Sequence, residues 1–420
     1  MADSYLSFGP GNERGEARQM VDVFIRWTWM RAVLHNGWWL VTSVYLVVDA
    51  GLSPAQLVLI GSVQSAFALV LEVPAGVFAD TISRKWSLVI SQVLMGTAML
   101  ATGLSESFPA LLATQVLWGV SWTFASGSDV ALVTDELDRP DEINLVLTRA
   151  ARAQLTGAAT GLVLLGALAW ATRRDLTIVI AGVAMTSLAL YVAVRFTEHN
   201  FVPTRSARWS ASWGTFRRGV TLVRRSRALL LIFAATFLVN GASDAAGRLT
   251  QKQLLELGLP TRPDPIVWFT ALGVLGLVVG AVVLQLVTRR INGEHAATDY
   301  ALAALVGVVA MLLFAFARHP VSGAAAVVLL NGIVTPLIRV ISTICVNARA
   351  TADVRATTHS FLAQLEYLGE IVCGVAVSAI ARLTTLPLAL TACAVLFAAT
   401  AVLMGSPRDR SLARGGGHPH

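Results

Sequence analysis

Gly76-Val77-Phe78-Ala79-Asp80-Thr81-Ile82-Ser83-Arg84-Lys85 is the stretch that decides how this chain is built. An apolar run from Ala55 to Ala79 leads into it, and a second from Trp86 to Thr102 leads out. Crossing a bilayer as a helix takes roughly 20 apolar residues, so each run is long enough to span one. A turn carrying Asp80, Arg84 and Lys85 between two such helices must lie at the membrane surface, because hydrocarbon does not solvate charge. Working outward from this turn, about twelve runs of spanning length appear. They lie near 23–48, 55–79, 86–103, 109–134, 148–171, 175–195, 228–254, 266–288, 298–317, 321–345, 357–381 and 385–404. Composition agrees: 55% of residues are hydrophobic, 14% are charged and the mean hydropathy is +0.67. A soluble domain carries about 25% charged residues. Residues 1–20 are polar and the first apolar run exceeds a signal-peptide core, so no cleaved leader is expected.

The net charge of +7 raises nucleic acid as a partner, and the distribution of that charge argues against it. Arginine and lysine collect in alternate loops: Arg84 and Lys85, Arg149 and Arg152, the cluster from Arg205 to Arg227, Arg289 and Arg290, Arg349 and Arg355, and Arg408 to Arg414. The intervening loops hold far fewer, chiefly Arg173, Arg174, Lys252, Arg262, Arg318 and Arg382. That alternation is the positive-inside pattern and places both termini in the cytoplasm of a multi-pass cytoplasmic-membrane protein. A basic face toward anionic lipid accounts for the excess, and no nucleic-acid partner is expected. Cys345, Cys373 and Cys393 lie within or at the ends of apolar runs without metal spacing, so neither disulfide nor metal is expected.

The chain divides into a cytoplasmic tail (1–22), a six-helix bundle (23–195), a cytoplasmic linker (196–227), a second six-helix bundle (228–404) and a second tail (405–420). In the linker, Trp209, Trp213, Phe216, Val220 and Val223 recur at helical spacing among arginines, which predicts an interfacial helix. The alternative is a flexible linker. The halves look like weak repeats. Ala50-Gly51-Leu52-Ser53 parallels Leu257-Gly258-Leu259-Pro260, and Gly76…Arg84-Lys85 parallels Gly280…Arg289-Arg290. Each offset is about 205 residues, as two six-helix repeats require.

Gly76, Asp80, Arg84 and Lys85 resemble the loop signature Gly-x-x-x-Asp-Arg/Lys-x-Gly-Arg/Lys-Arg/Lys of the major facilitator superfamily, between its second and third helices. Thr81 stands where a base is usual and Ser83 where a glycine is. Leu71-Glu72-Val73-Pro74-Ala75-Gly76 resembles the Glu-x-Pro-x-Gly variant of the family's drug-exporter-like group. Ser126-Gly127-Ser128-Asp129, with Asp135 beyond it, is similar to that group's fourth-helix end. Gly241-Ala242-Ser243-Asp244 with Arg248, and Arg355 to Ser360 with Gln364, fit its seventh and eleventh helices. The resemblance implies an all-α integral membrane fold: twelve transmembrane helices in two pseudo-symmetric six-helix bundles. It implies alternating access around a midplane cavity, and a role for Asp80 in holding one state closed. Two departures stand out. Gln115 occupies the fourth-helix position where proton antiporters often carry arginine. Gly157-Ala158-Ala159-Thr160-Gly161-Leu162 keeps the glycines of the fifth-helix antiporter signature without its proline.

No enzyme constellation is present, so the informative residues are charges inside spans, which must face a cavity or a partner. Glu366 and Glu370 lie one turn apart in the eleventh span, roughly 13 and 20 Å from its start near Thr357. They share a face with His359 and Cys373 and can couple transport to protons, or one can pair with an arginine and hold helices together. Tyr367 lies beside them. Asn240, Asp244, Arg248 and Gln251 form one stripe of the seventh span, where Asp244 and Arg248 suit an i,i+4 ion pair and Asn240 a substrate contact. Arg31, His35, Trp38 and Thr42 form a stripe of the first. There Arg31 can snorkel, or pair with Glu72 or a glutamate of the eleventh span, and His35 can pack or couple protons. Gln115, Trp118, Trp122, Ala125 and Asp129 share a face of the fourth span, an aromatic wall suited to flat, apolar or cationic substrates. Asp129, Asp135 and Glu136 are expected to form a latch with Arg149 and Arg152.

These readings converge on a secondary transporter, without cofactor and monomeric, that exports small amphipathic molecules by proton antiport, as in multidrug resistance. A symporter or uniporter for a polar metabolite is the alternative, and a non-transporting sensor or scaffold the reading from another class.

Overall fold

The charged turn is two residues long. α2 (Pro54–Thr81) ends at Thr81 and α3 (Arg84–Gly103) begins at Arg84. Ser83 sits between them in extended conformation, and its Oγ accepts the Trp86 amide at 3.0 Å, capping α3. Serine at this position satisfies an amide that the first helical turn leaves without a partner.

The computed structural model describes residues 13–137, 140–203, 226–287, 295–347 and 355–405. Among these, every regular element is a helix. The remaining ones are α1 (Glu13–Val48), α4 (Phe108–Ala125), α5 (Ser128–Leu137), α6 (Pro140–Ala171), α7 (Arg174–Arg195), α8 (Arg227–Glu256), α9 (Pro265–Val287), α10 (Ala296–Ala315), α11 (Pro320–Val328), α12 (Thr335–Asn347), α13 (Arg355–Leu383) and α14 (Leu386–Gly405). Eleven helical stretches of the described residues are long and apolar enough to cross a membrane. α1 completes the expected twelve by length, and its polarity comes from Arg31, His35 and Asn36. It also begins at Glu13, inside the stretch read as a polar tail. The interfacial helix expected in the linker falls on residues 204–225, outside the described residues.

Two spans are not continuous α-helices. The fourth breaks at Ser126–Gly127, where Gly127 takes φ +72°, a left-handed conformation that glycine adopts without a Cβ clash. α5 then restarts the span at Ser128. The tenth span holds a π-helical turn, Leu329–Val334, between α11 and α12. Such turns re-aim the side chains that follow them and recur at functional sites.

The helices pack into two compact units. The described residues of Met1–Ala50, Phe67–Ser206 and Ile266–Thr270 form one, and those of Gly51–Ala66, Ala207–Pro265 and Ala271–His420 the other. The start of α2 thus goes with the second unit, where Ser378 Oγ donates to the Ala55 carbonyl at 2.8 Å and Ser62 Oγ to that of Glu370 at 3.2 Å.

Each unit holds a glycine-mediated crossing beside its candidate site. In the first, α1 meets α6. A Cβ at Gly161 would overlap the Val33 carbonyl, one at Gly37 the Gly161 carbonyl, and one at Gly157 would lie 2.6 Å from the Trp29 carbonyl. In the second, α8 meets α13 in the same way: a Cβ at Gly369 would overlap Phe237 and one at Gly241 would overlap Gly369. Lipid solvates apolar side chains as well as protein does, so small residues that admit close backbone contact drive helix pairing in membranes.

Gly161→Leu is therefore expected to prevent α1 and α6 from closing, because the obstructing atoms are backbone and cannot rotate away. The loss should reach at least about 1–3 kcal/mol, the usual cost of overpacking. It should appear as aggregation or a sharply lowered melting temperature in detergent. Leu substitution at exposed Thr160 on the same helix should leave melting unchanged.

Candidate functional site

In the first unit, one face of α1 carries Trp27, Arg31, His35, Trp38 and Thr42. Arg31 Nη1 lies 3.9 Å from Asp129 Oδ2. Its guanidinium stands 4.5 Å from the Trp122 ring centre and 5.2 Å from that of Trp27. His35 stacks on Trp118 at 5.3 Å and meets the edge of Trp122 at 5.1 Å. Trp118 also stacks on Trp38 at 5.5 Å and on Trp39 at 5.4 Å. The polar atoms of this assembly are under-used. Arg31 Nε and Nη2, His35 Nδ1 and the indole nitrogens of Trp118 and Trp122 are buried without a hydrogen-bond partner among the described residues. Native proteins rarely leave so many buried polar atoms unmet, so their grouping here makes this assembly a candidate site.

This arrangement corrects several sequence expectations. Trp38 is fully buried and Trp118 nearly so, so they form the packed back of the stack rather than an open wall. Gln115 is buried as well and donates from Nε2 to Thr102 Oγ1 at 3.2 Å, within the α3–α4 packing. Trp122 remains half-buried, yet its face is taken by the protein's own cation, Arg31. Arg31 neither snorkels nor pairs with Glu72. Glu72 accepts from Ser126 Oγ at 2.9 Å instead. The expected latch is not made. Asp129 turns to Arg31, Asp135 to Arg84, and Glu136 accepts the amides of His199 and Asn200 at 2.8 and 2.9 Å. Arg149 lies 3.5 Å from Asp22. Closeness in the chain did not decide the partners: after the break at Gly127, α5 presents Asp129 to α1 and Asp135 to the start of α3.

Around the signature turn, Arg84 is the hub. It lies 3.8 Å from Asp80, forms a hydrogen-bonded ion pair with Asp135 and donates to the Ala131 carbonyl at 3.0 Å. Glu198, just past α7, accepts from Ser83 Oγ at 2.5 Å and from the Arg84 and Lys85 amides at 2.7 and 3.1 Å. A carboxylate at a helix N-terminus meets free amides and the positive end of the dipole. The sequence reading missed Glu198, which is remote in the chain and belongs to no pattern. A Cβ at Gly76 would meet no atom within 4 Å, so packing does not demand glycine there in this structure.

In the second unit, Arg248 Nε donates to both Asp244 oxygens at 3.1 and 2.9 Å, making the expected i,i+4 pair, and Nη2 reaches Gln64 Oε1 at 3.4 Å. Glu370 accepts a short hydrogen bond from Ser65 Oγ. Glu366 has a different setting. It lines a narrow cavity with Asn240, Tyr300, Arg339 and Ser342, where Tyr300 is fully buried. Tyr367 is half-buried and does not line that cavity. The His359 side chain lies outside the described ones. Arg339 escaped the sequence reading, although a lone arginine inside an apolar run was signal enough. It follows the π-helical turn, which re-aims α12 toward the cavity.

Residues 29–374 match the family model for the Major Facilitator Superfamily. No curated protein sequence matches the chain. Among solved structures, the fold resembles the nucleoside transporter NupG (TM-score 0.74, 13% identity, covering 95% of this chain and 100% of that one). It also resembles a mutant of the peptide transporter POT (TM-score 0.76, 11% identity, 96% and 100% coverage). A further likeness is to the human organic anion transporter MFSD10 (TM-score 0.60, 16% identity, 92% and 99% coverage).

The Arg31–Asp129 pair sets a measurable coupling. Asp129→Asn and Arg31→Gln should each lower the detergent melting temperature. The double variant should be less damaged than the two singles predict, with a coupling of about 0.5–3 kcal/mol. Additive losses would show that the two side chains do not sense each other.

Proposed function

The chain belongs to the Major Facilitator Superfamily, a multi-pass membrane transporter and not an enzyme, and on that premise we propose that it exports small amphipathic molecules by proton antiport. The observation that carries the proposal is Glu370: an intramembrane carboxyl hydrogen-bonded to Ser65 in the unit that also holds the Asp244–Arg248 pair. Such a group in a membrane span marks a proton or ion pathway by default. Its serine partner can donate to the charged form and accept from the protonated one, so the site tolerates both states. Glu366 is the second coupling candidate, with Glu72, Asp129 and His35 behind it.

Substrate recognition is assigned to the Arg31–Trp122 region and to the cavity around Asn240 and Glu366. The unused donors of Arg31, His35 and the indoles call for a substrate with an aromatic body and hydrogen-bond acceptors. Because Arg31 already occupies the Trp122 face, a permanent cation is a poorer match than the sequence implied. Glu72-Val73-Pro74-Ala75-Gly76 supports placement in the drug-exporter-like group. The arginine distribution supports a cytoplasmic membrane location with both termini inside. Asp80, through Arg84 and Asp135, is assigned to the gate of the alternating-access cycle. Two six-helix bundles, 23–195 and 228–404, would move against each other in a monomer. Polar-metabolite symport is the second reading, favoured by the polar lining of the Asn240–Arg339–Glu366 cavity.

The test uses proteoliposomes with an imposed pH gradient and three probes: an aromatic carboxylate, a hydrophobic cationic dye and a nucleoside. Antiport predicts accumulation of the aromatic carboxylate, against its gradient, in the more acidic compartment, as protons leave that compartment in exchange. Glu370→Gln should abolish the gradient-driven component, a fall of at least tenfold, and leave counterflow exchange within about twofold because the binding groups remain. Gradient-driven transport by the Glu366→Gln, Glu370→Gln double variant at the wild-type rate would refute the coupling role. Uptake of the nucleoside together with protons would favour symport.

A further inference from the structure

We propose that a groove on the first unit, between α1, α6 and α7, is a binding site for an anionic phospholipid. The groove encloses about 700 Å³. Its polar side is made by Arg26, Arg149, Arg152 and Arg195, and its apolar side by Ile25, Trp29, Met30 and Ala153. Arg149 is balanced by Asp22; Arg26, Arg152 and Arg195 form no ion pair among the described residues.

Depth identifies the occupant. Arg195 is the last residue of α7, Arg26 lies at the start of the first apolar run, and Arg149 and Arg152 precede the apolar part of α6. The four guanidinium groups therefore sit at one level, where the spans meet the headgroup region. Directly beside them the surface is hydrocarbon: Trp29, Leu155 and Val194 are exposed. A ligand that fills this groove must be anionic at one end and apolar at the other, at the depth where a phospholipid is both. Basic pockets between transmembrane helices on the cytoplasmic side recognise anionic headgroups in this manner. Only the choice of the inner leaflet rests on the orientation proposed above. The groove is also separate from the Arg31 assembly, because Arg26, Trp29 and Met30 lie on other faces of α1 from Trp27, Arg31 and His35.

The test is lipid binding by the purified full chain in detergent, read by native mass spectrometry and by thermal shift. The lipids are phosphatidylglycerol, cardiolipin and phosphatidylethanolamine. Phosphatidylglycerol and cardiolipin should be retained at least tenfold more tightly than phosphatidylethanolamine and should raise the melting temperature. Arg152→Gln combined with Arg195→Gln should remove most of that preference while leaving phosphatidylethanolamine binding unchanged. If that pair does not fold, Arg26→Gln serves in its place with a smaller expected loss. The site is overturned if wild type shows no preference for the anionic lipids, or if the folded variant keeps it. It is equally overturned if millimolar inorganic phosphate displaces the lipid, since that identifies a site for soluble anions. None of these readouts depends on transport, so failure here leaves the antiport reading standing.

Discussion

Backbone-to-backbone contact between helix pairs is the constraint from which the candidate sites follow. Gly37 can approach Gly161 only because neither has a side chain, and Gly241 and Gly369 stand in the same relation in the second unit. These contacts sit among the residues of interest. His35 is two residues before Gly37, Asn240 directly precedes Gly241, and Glu370 directly follows Gly369. A helix pinned this closely cannot rotate about its axis without backbone collision. The stripe of α1 that bears Arg31 and His35, and the face of α13 that bears Glu370, are therefore held in azimuth by their glycines. In membranes, where apolar burial gives no preference for one helix face over another, such shape constraints take over the role that hydrophobic patterning plays in water.

Given those orientations, each unit solves the problem of intramembrane charge differently. The first surrounds Arg31 with indole faces and a single, distant carboxylate, so attraction to the rings carries part of what a full ion pair would. The second pairs Arg248 tightly with Asp244 one turn away and gives Glu370 a neutral serine. The loosely satisfied cation suits a site that awaits a ligand. The serine-bound carboxyl suits one that gains and loses a proton. This contrast is what favours Glu370 over Asp129 and His35 as the coupling group, while recognition draws on both units.

The fold was legible in the chain because its signals are long and redundant. Spanning runs average out local error, and most predicted ends fall within a few residues of the observed ones; the start of α1 is an exception. The Asp244–Arg248 pair was legible for a related reason, since i,i+4 spacing inside one unbroken helix fixes the geometry. The fourth span failed that condition. One glycine at φ +72° ended the register, so Asp129 does not continue the face of Gln115, Trp118 and Trp122, and a short connection alone does not tell which cation an acid meets. Gly127 was visible as a residue, but glycine is common in transmembrane helices and only its conformation shows the break. Glu198 and Ser65 were illegible for a different reason. Their partners, Ser83 and Glu370, are 115 and 305 residues away, and a hydrogen bond between distant elements leaves no periodic trace.

The two departures from the antiporter pattern read differently once packing is known. Gly157 and Gly161 let α6 close on α1, a job in which the missing proline has no part, and α6 runs unbroken to Ala171 with Leu162 in its place. The retained glycines therefore report a helix crossing. Gln115 stands where an arginine is often found, yet it is buried and donates a hydrogen bond to the neutral Thr102 hydroxyl. A cation there would be stranded in the α3–α4 packing. The first unit instead carries an intramembrane arginine on α1, at Arg31, where Asp129 and two indoles receive it. The absence of arginine at 115 thus does not leave this unit without an intramembrane cation. The proposal of antiport therefore rests on Glu370 and not on an arginine at 115.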